Sequence, residues 1–257
     1  MFFSRKKKAG KENRIILGMV MLSDHTGFDL NRVITDLTSN YVLPVENISG
    51  DNNTAAFDVD GETVAIGHMP IPVPAADLTT TAEYAYNWET ALEDLQAHQS
   101  HLIVTSTGKG DDPVKQYTIF TFLICSLLRT TNSIGVYMGS QSLLIPQDHY
   151  LEEAARLSDD YLPLDLWIYF GFRITNKGQC GYTYGLQGFN KPEMEILNSA
   201  KGLEEIMGFL FNMSHYVIEH DVTFKEGQTC GMSAEEKVPI TYSKGQLVTG
   251  KTFKLGY

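Results

Sequence analysis

Cysteines are scarce in this 257-residue chain, and the three present, Cys125, Cys180 and Cys230, are far apart. No CxxC pair occurs, so the spacing excludes a zinc ribbon and a disulfide framework, and we expect buried free thiols in a reducing cytoplasm. Long hydrophobic runs are missing too. The most apolar segment, residues 117–128, is too short for the roughly 20 residues that span a bilayer. We therefore expect a cytoplasmic protein with no transmembrane segment and no secretory signal.

Basic residues are outnumbered, with 20 Lys and Arg against 31 Asp and Glu, which gives a formal net charge of −11. Residues 1–14 carry +5, so the rest of the chain carries −16. A surface that acidic repels phosphates, so the composition predicts no nucleic-acid binding. We interpret residues 1–13 as a basic flexible tail, in which Phe2 and Phe3 allow at most a weak contact with an anionic membrane.

Hydrophobic patterning predicts an α+β fold. An apolar run over residues 14–22 is typical of a strand covered on both faces, and Asp29 can cap a following helix. The Asp60-Gly61 pair between two β-like runs predicts a hairpin. An amphipathic stripe over residues 76–97 predicts a second helix, and a strand follows at residues 100–106. This order of elements, βαββαβ, is that of a ferredoxin-like unit.

A similar order recurs after residue 131. We therefore predict a ferredoxin-like half over residues 14–110, a connecting hydrophobic helix over residues 111–130, and a second ferredoxin-like half over residues 131–257 with additional C-terminal strands. Asp112 followed by Pro113 is a typical helix start, which places the beginning of the connecting helix.

Motifs of catalysis and cofactor binding are missing. His98 and His101 lack a third ligand at a metal-site spacing, Gly108-Lys109-Gly110 lacks the rest of a phosphate loop, and no GxSxG segment occurs. We therefore assign no catalytic residue, no metal ligand and no cofactor. An aromatic-rich stretch over residues 167–184 is interpreted first as core, with an exposed aromatic sheet face as the alternative.

Paired carboxylates are the candidate binding residues. Glu193 and Glu195 are two apart in a predicted strand and would share one face, which makes them the best acid–base or cation-binding candidates. If they are buried they need partners, and Lys191 and Lys201 are the local candidates. The residues assigned to a partner-binding acidic face are Asp159, Asp160, Glu193, Glu195, Glu235 and Glu236.

The C-terminal third has the most distinctive sequence. It contains Thr183-Tyr184-Gly185-Leu186, residues 191–196 (KPEMEI), Glu226-Gly227-Gln228-Thr229, Val238-Pro239-Ile240 and the closing segment 253–257 (FKLGY). Over roughly residues 180–257 the chain resembles a bacterial family described as domain of unknown function 4261. The resemblance implies a bacterial cytosolic protein and transfers no catalytic residue.

These observations predict a non-enzymatic module whose acidic face binds a basic protein. One version is an immunity-type protein that neutralises a toxin, because complementary charge speeds association and selects partners. One alternative is a hydrolase or metal-assisted enzyme with a dispersed site around Glu193 and Glu195. Another is a structural or adaptor protein. The sequence leaves the oligomeric state open.

Overall fold

Two compact units make up the chain, one ending at Tyr161 and the other formed by Leu162–Tyr257. The computed structural model describes residues 14–108 and 112–257. The predicted basic tail, residues 1–13, lies outside the described residues, as do residues 109–111. Helices and two β-sheets confirm the predicted α+β fold class. Within the described ranges, no helix has both the length and the hydropathy needed to cross a membrane.

The first unit is built on a seven-stranded antiparallel sheet with the order β2-β3-β4-β5-β1-β6-β7. Its elements are β1 (Ile15–Leu22), α1 (Leu30–Tyr41), β2 (Val45–Gly50), β3 (Thr54–Val59), β4 (Glu62–Met69), α2 (Ala75–Ala82), α3 (Ala91–Ala97), β5 (Ser100–Thr107), α4 (Pro113–Thr130), β6 (Ser133–Met138), β7 (Leu143–Pro146) and α5 (Gln147–Ala155).

Local sequence signals account for several boundaries. Asp60 and Gly61 have φ of 46° and 83°, so the predicted β3–β4 hairpin turns through the left-handed conformations that such a pair tolerates. The Asp29 carboxylate accepts a hydrogen bond from the Arg32 amide at the start of α1. Asp112 caps α4 in the same way, and Pro113 occupies the first turn of α4.

The prediction that helix α4 connects two halves is wrong, because α4 crosses over within one sheet. It leaves β5 and enters β6, and both strands flank β1. Strands β6 and β7 and helix α5, which the sequence analysis places in a second half, therefore complete the first unit. The boundary between units falls at residues 161 and 162. Almost every side chain of α4 is buried, because α1, α5 and the sheet all pack against it.

The ferredoxin-like arrangement is not confirmed in the first unit. The four strands predicted for the first ferredoxin-like half lie side by side in the order β3-β4-β5-β1. In a split βαβ unit, by contrast, a helix joins two parallel strands that have another strand between them. A split βαβ unit is formed instead by β5, α4 and β6, because β1 lies between β5 and β6 in the sheet. The predicted helix over residues 76–97 is also divided into α2 and α3, because successive turns occupy residues 83–90.

The second unit contains a six-stranded sheet with the order β11-β12-β13-β10-β9-β8. Its elements are β8 (Tyr169–Thr175), β9 (Gly178–Tyr184), β10 (Met194–Ser199), α6 (Leu203–Glu219), β11 (Thr229–Cys230), β12 (Val238–Lys244) and β13 (Lys251–Leu255). The unit opens with a hairpin and not with a β-α-β crossover, so it does not repeat the first unit. Strands β10 and β13 pair in parallel, and the other neighbours are antiparallel.

Candidate functional site

Glu195, on β10, is enclosed by a loop of its own unit. Its side chain is 0% exposed. The carboxylate accepts hydrogen bonds from the amides of Gln246, Leu247 and Val248 at 2.6–3.2 Å, and from Thr252 Oγ1 at 3.0 Å. Lys254 Nζ lies 2.8 Å from Oε2. Burial alone would raise the pKa of Glu195, but the Lys254 ammonium and the loop amides outweigh it and lower the pKa.

Glu193 immediately precedes β10 and binds a different part of the unit. It is 2% exposed and accepts hydrogen bonds from Thr183 Oγ1 at 2.7 Å and from the amides of Gly185 and Gln187 at 2.9 and 3.4 Å. Burial raises its pKa, and these donors offset the rise in part. The carboxylate therefore ties β10 to the turn that follows β9.

These contacts change the interpretation of the carboxylate pair. Both side chains are buried, so neither belongs to an exposed acidic face, and each carboxylate binds donors of the chain itself. The expected local partners are also wrong. Lys191 pairs with Asp221 at 2.8 Å, and Lys201 pairs with Glu205 at 3.1 Å. The enzyme alternative centred on Glu193 and Glu195 gains no support from this geometry.

The other predicted acidic residues lie at the surface of their units. Asp159 and Asp160 are exposed at the end of the first unit, and Glu235 is exposed in the second. Glu236 is half-buried, and its carboxylate accepts a hydrogen bond from the Met232 amide at 2.6 Å. Their role in partner binding stays a prediction.

Acidic charge is concentrated in the first unit. Residues 14–161 contain 20 Asp and Glu against 6 Lys and Arg, whereas residues 162–257 contain 10 against 9. Within the first unit, residues 33–108 contain eleven acidic residues and no Lys or Arg. A strongly negative surface therefore belongs to the first unit, which moves the candidate interface away from Glu235 and Glu236.

The α2–α3 segment of that unit has one buried side. Trp88 and Leu95 pack with Met21 and Leu144 in a hydrophobic cluster against the sheet. The Trp88 indole donates a hydrogen bond to Asp94 Oδ2 at 2.7 Å, which ties the turns at residues 83–90 to α3. This burial holds the segment in place and determines which side chains face solvent.

The solvent side of the segment combines carboxylates with large apolar groups. Tyr84 is 61% exposed, Leu92 47% and Tyr86 43%. The carboxylates of this surface are also exposed. We call this set the acidic tyrosine surface, and its members are Asp77, Glu83, Tyr84, Tyr86, Glu89, Leu92 and Glu93. Burying aromatic area is favourable, so tyrosine rings exposed among carboxylates are unusual for a surface that contacts only water.

Sequence reasoning missed this surface for an identifiable reason. The amphipathic stripe over residues 76–97 drew attention to the buried side of the segment. Two signals were nonetheless present in the sequence: the absence of Lys and Arg from residues 33–108, and the two tyrosines, Tyr84 and Tyr86, that follow Glu83.

Histidine and cysteine side chains have structural surroundings. His98 Nε2 accepts a hydrogen bond from the Val73 amide at 2.8 Å, and His101 Nδ1 donates to the Ile71 carbonyl at 2.8 Å. Among the residues that the structure describes, no group of three or more His, Cys, Asp or Glu is arranged to hold a metal ion. Burial raises the pKa of Cys125 and of Cys230 to about 11, so neither thiol is activated as a nucleophile.

Comparison with known proteins identifies a family for the C-terminal third of the chain. No curated protein matches the chain. No solved structure matches it either. Residues 182–256 match the family model described as domain of unknown function (DUF4261), which confirms, over the C-terminal third, the resemblance stated from the sequence.

Proposed function

We propose that this protein is a non-enzymatic binding module that holds a basic protein partner on the acidic tyrosine surface of its first unit. The observation that carries the proposal is the exposure of Tyr84, Tyr86 and Leu92 among carboxylates in a 76-residue stretch without Lys or Arg. Carboxylates attract Arg and Lys over distance, and tyrosine rings bind the same groups at contact through cation–π and apolar packing.

An immunity-type protein that neutralises a basic toxin is one concrete form of this proposal. Electrostatic complementarity raises the association rate and rejects acidic competitors, which suits a protein that must reach its target quickly. A structural adaptor would use the same surface with slower exchange. The proposal places no requirement on Glu193 or Glu195, which are engaged inside the second unit.

The test uses a fluorescein-labelled nonapeptide of alternating Arg and Gly, with binding followed by anisotropy at 50 and 200 mM salt. The charge-reversal variant E83K/E89K is expected to weaken binding at least tenfold. Two matched variants make the same change in net charge elsewhere: D159K/D160K in the first unit and E204K/E235K in the second. If all three variants lost affinity to a similar extent, net charge alone would explain the weaker binding, and the proposal would be contradicted.

The tyrosine contribution is separated from charge by Y84A/Y86A, which leaves net charge unchanged. At about 0.5–1 kcal/mol for each exposed cation–π contact, the double variant is expected to bind about 5–30 times more weakly. The residual binding should keep its salt dependence. Unchanged affinity would mean that the tyrosines do not contact the basic peptide, and the acidic tyrosine surface would then have no specific role.

A further inference from the structure

A groove in the second unit runs between α6 and the edge strand β11. Its cavity volume is about 1020 Å³. The α6 side contributes Met213 and Tyr216, and the other side contributes residues 227–234, which include the whole of β11. Strand β11 is the outermost strand of its sheet, so its second hydrogen-bonding edge faces away from β12. The groove is therefore lined by α6 and by the segment that contains the edge strand β11.

The hydrogen-bond register of β11 shows which backbone groups are directed outward. The Ile240 amide donates to the Gln228 carbonyl at 2.9 Å, and Thr229 lies opposite Pro239. Because bonded and non-bonded pairs alternate along an antiparallel ladder, the Thr229 N–H and C=O point away from β12. Open donors and acceptors on a strand edge are matched by the backbone of another extended chain.

The lining combines apolar side chains with polar ones such as Asn212, Gln228 and Ser233. Met213 and Phe224 are buried in the lining, while Met232 is 55% exposed at the rim. Flexible methionine side chains adapt to side chains of different shape. Glu236 and Lys237 both line the groove, so it has no dominant charge. This distinguishes it from the acidic tyrosine surface of the first unit.

We propose that the groove binds an extended peptide segment that adds to β11 as a further strand and places apolar side chains at alternate positions against Met213 and Phe224. The site lies on a different unit from the proposed basic-partner surface and is independent of it. Because such a peptide is neutral and apolar, we expect it to stay bound at high salt. Under the same conditions, the attraction of a basic peptide to the acidic tyrosine surface is screened.

The probe is a phage-displayed library of linear dodecapeptides, selected on the full chain in 0.5 M NaCl. Enriched peptides are expected to show apolar residues at every second position and to bind the E83K/E89K variant as well as the parent chain. A selection without enrichment would overturn the proposal. So would enriched peptides that lose binding with E83K/E89K, because they would belong to the other surface.

Backbone pairing is tested by two substitutions at one position. Thr229→Pro removes the outward N–H and is compatible with an edge strand, whereas Thr229→Ala removes only the exposed side chain. We expect T229P to weaken binding of the selected peptides at least tenfold and T229A less than twofold. Equal affinities for T229P and T229A would overturn strand addition.

A rim variant and an exchange measurement guard against misfolding of T229P. Met232→Ser, at an exposed position, is expected to weaken binding several-fold without loss of Trp167 fluorescence. In the unchanged chain, peptide binding should slow hydrogen exchange of the Thr229 amide. An amide that exchanges at the same rate with and without peptide would contradict the proposed pairing.

Discussion

Glu195→Gln is expected to destabilise the second unit strongly. The amide side chain keeps the volume of the carboxylate but replaces one acceptor oxygen with a donor. In either orientation that donor meets other donors, which are the amides of residues 246–248 at one oxygen position and Thr252 Oγ1 and Lys254 Nζ at the other. It also leaves the Lys254 ammonium, 2.8 Å away and 12% exposed, without its counter-ion. Removing one partner of a buried ion pair costs about 3–5 kcal/mol, a large part of the roughly 5–15 kcal/mol that stabilises a domain.

The two tryptophans allow this loss to be measured in the correct unit. Trp88 lies in the first unit and Trp167, which is buried, in the second. In a Trp88→Phe background, urea unfolding followed by fluorescence therefore reports on the second unit alone. Glu204→Gln, at an exposed position of α6, is the control and should change stability by less than about 0.5 kcal/mol.

The pH dependence of the same variant adds an independent check. The lowered pKa of Glu195 means that the carboxylate contributes stability above its unfolded pKa, and that this stability is lost as pH falls through the folded pKa. The E195Q variant should lack this component of acid sensitivity. A loss of less than about 1 kcal/mol at pH 7 would refute the view that Glu195 anchors the loop.

Three further predictions concern other buried positions. Glu193→Gln should cost only about 1–2 kcal/mol in urea unfolding, because its raised pKa already brings the carboxyl closer to the neutral form; a cost as large as that of E195Q would contradict this. Gly181→Ala would place a Cβ 2.4 Å from Ile206 and 2.9 Å from Leu210, so we expect a loss of about 1–3 kcal/mol, and an unchanged midpoint would show that α6 can move away. Burial lowers the pKa of His101, so the free energy of unfolding of the first unit should decline as pH falls from about 6.5 towards that lower pKa. The His101→Gln variant should show a flatter decline. A pH profile identical to that of the parent chain would show that another group causes the decline.

Local features of this fold could be predicted from neighbouring residues. The Asp60-Gly61 turn, the Asp29 cap and the Pro113 start of α4 each depend on a few consecutive positions, and all are present. Propensity and capping act within one turn of the chain, so such signals survive whatever the tertiary arrangement.

The sheet order could not be predicted in this way. Whether β5 lies beside β1 or is separated from it depends on packing between distant segments, and the pattern of each strand is the same in both cases. The surroundings of Glu195 illustrate the same limit. Its partners lie at residues 246–254, about fifty positions further on, and include backbone amides that no sequence motif identifies. A run of acids likewise does not show which side chains of α2 and α3 face outward.

The position of β13 has a consequence for how the protein is made. This strand lies between β12 and β10, in the interior of its sheet, yet it is synthesised about fifty residues after β10. Until residues 251–255 leave the ribosome, β10 has an open edge and the Glu195 carboxylate lacks Lys254. Strand β10 of the nascent second unit therefore stays unpaired on one edge until β13 is available. The first unit is complete at residue 161 and can fold before that point. Chaperone dependence during translation should accordingly be concentrated in the C-terminal unit.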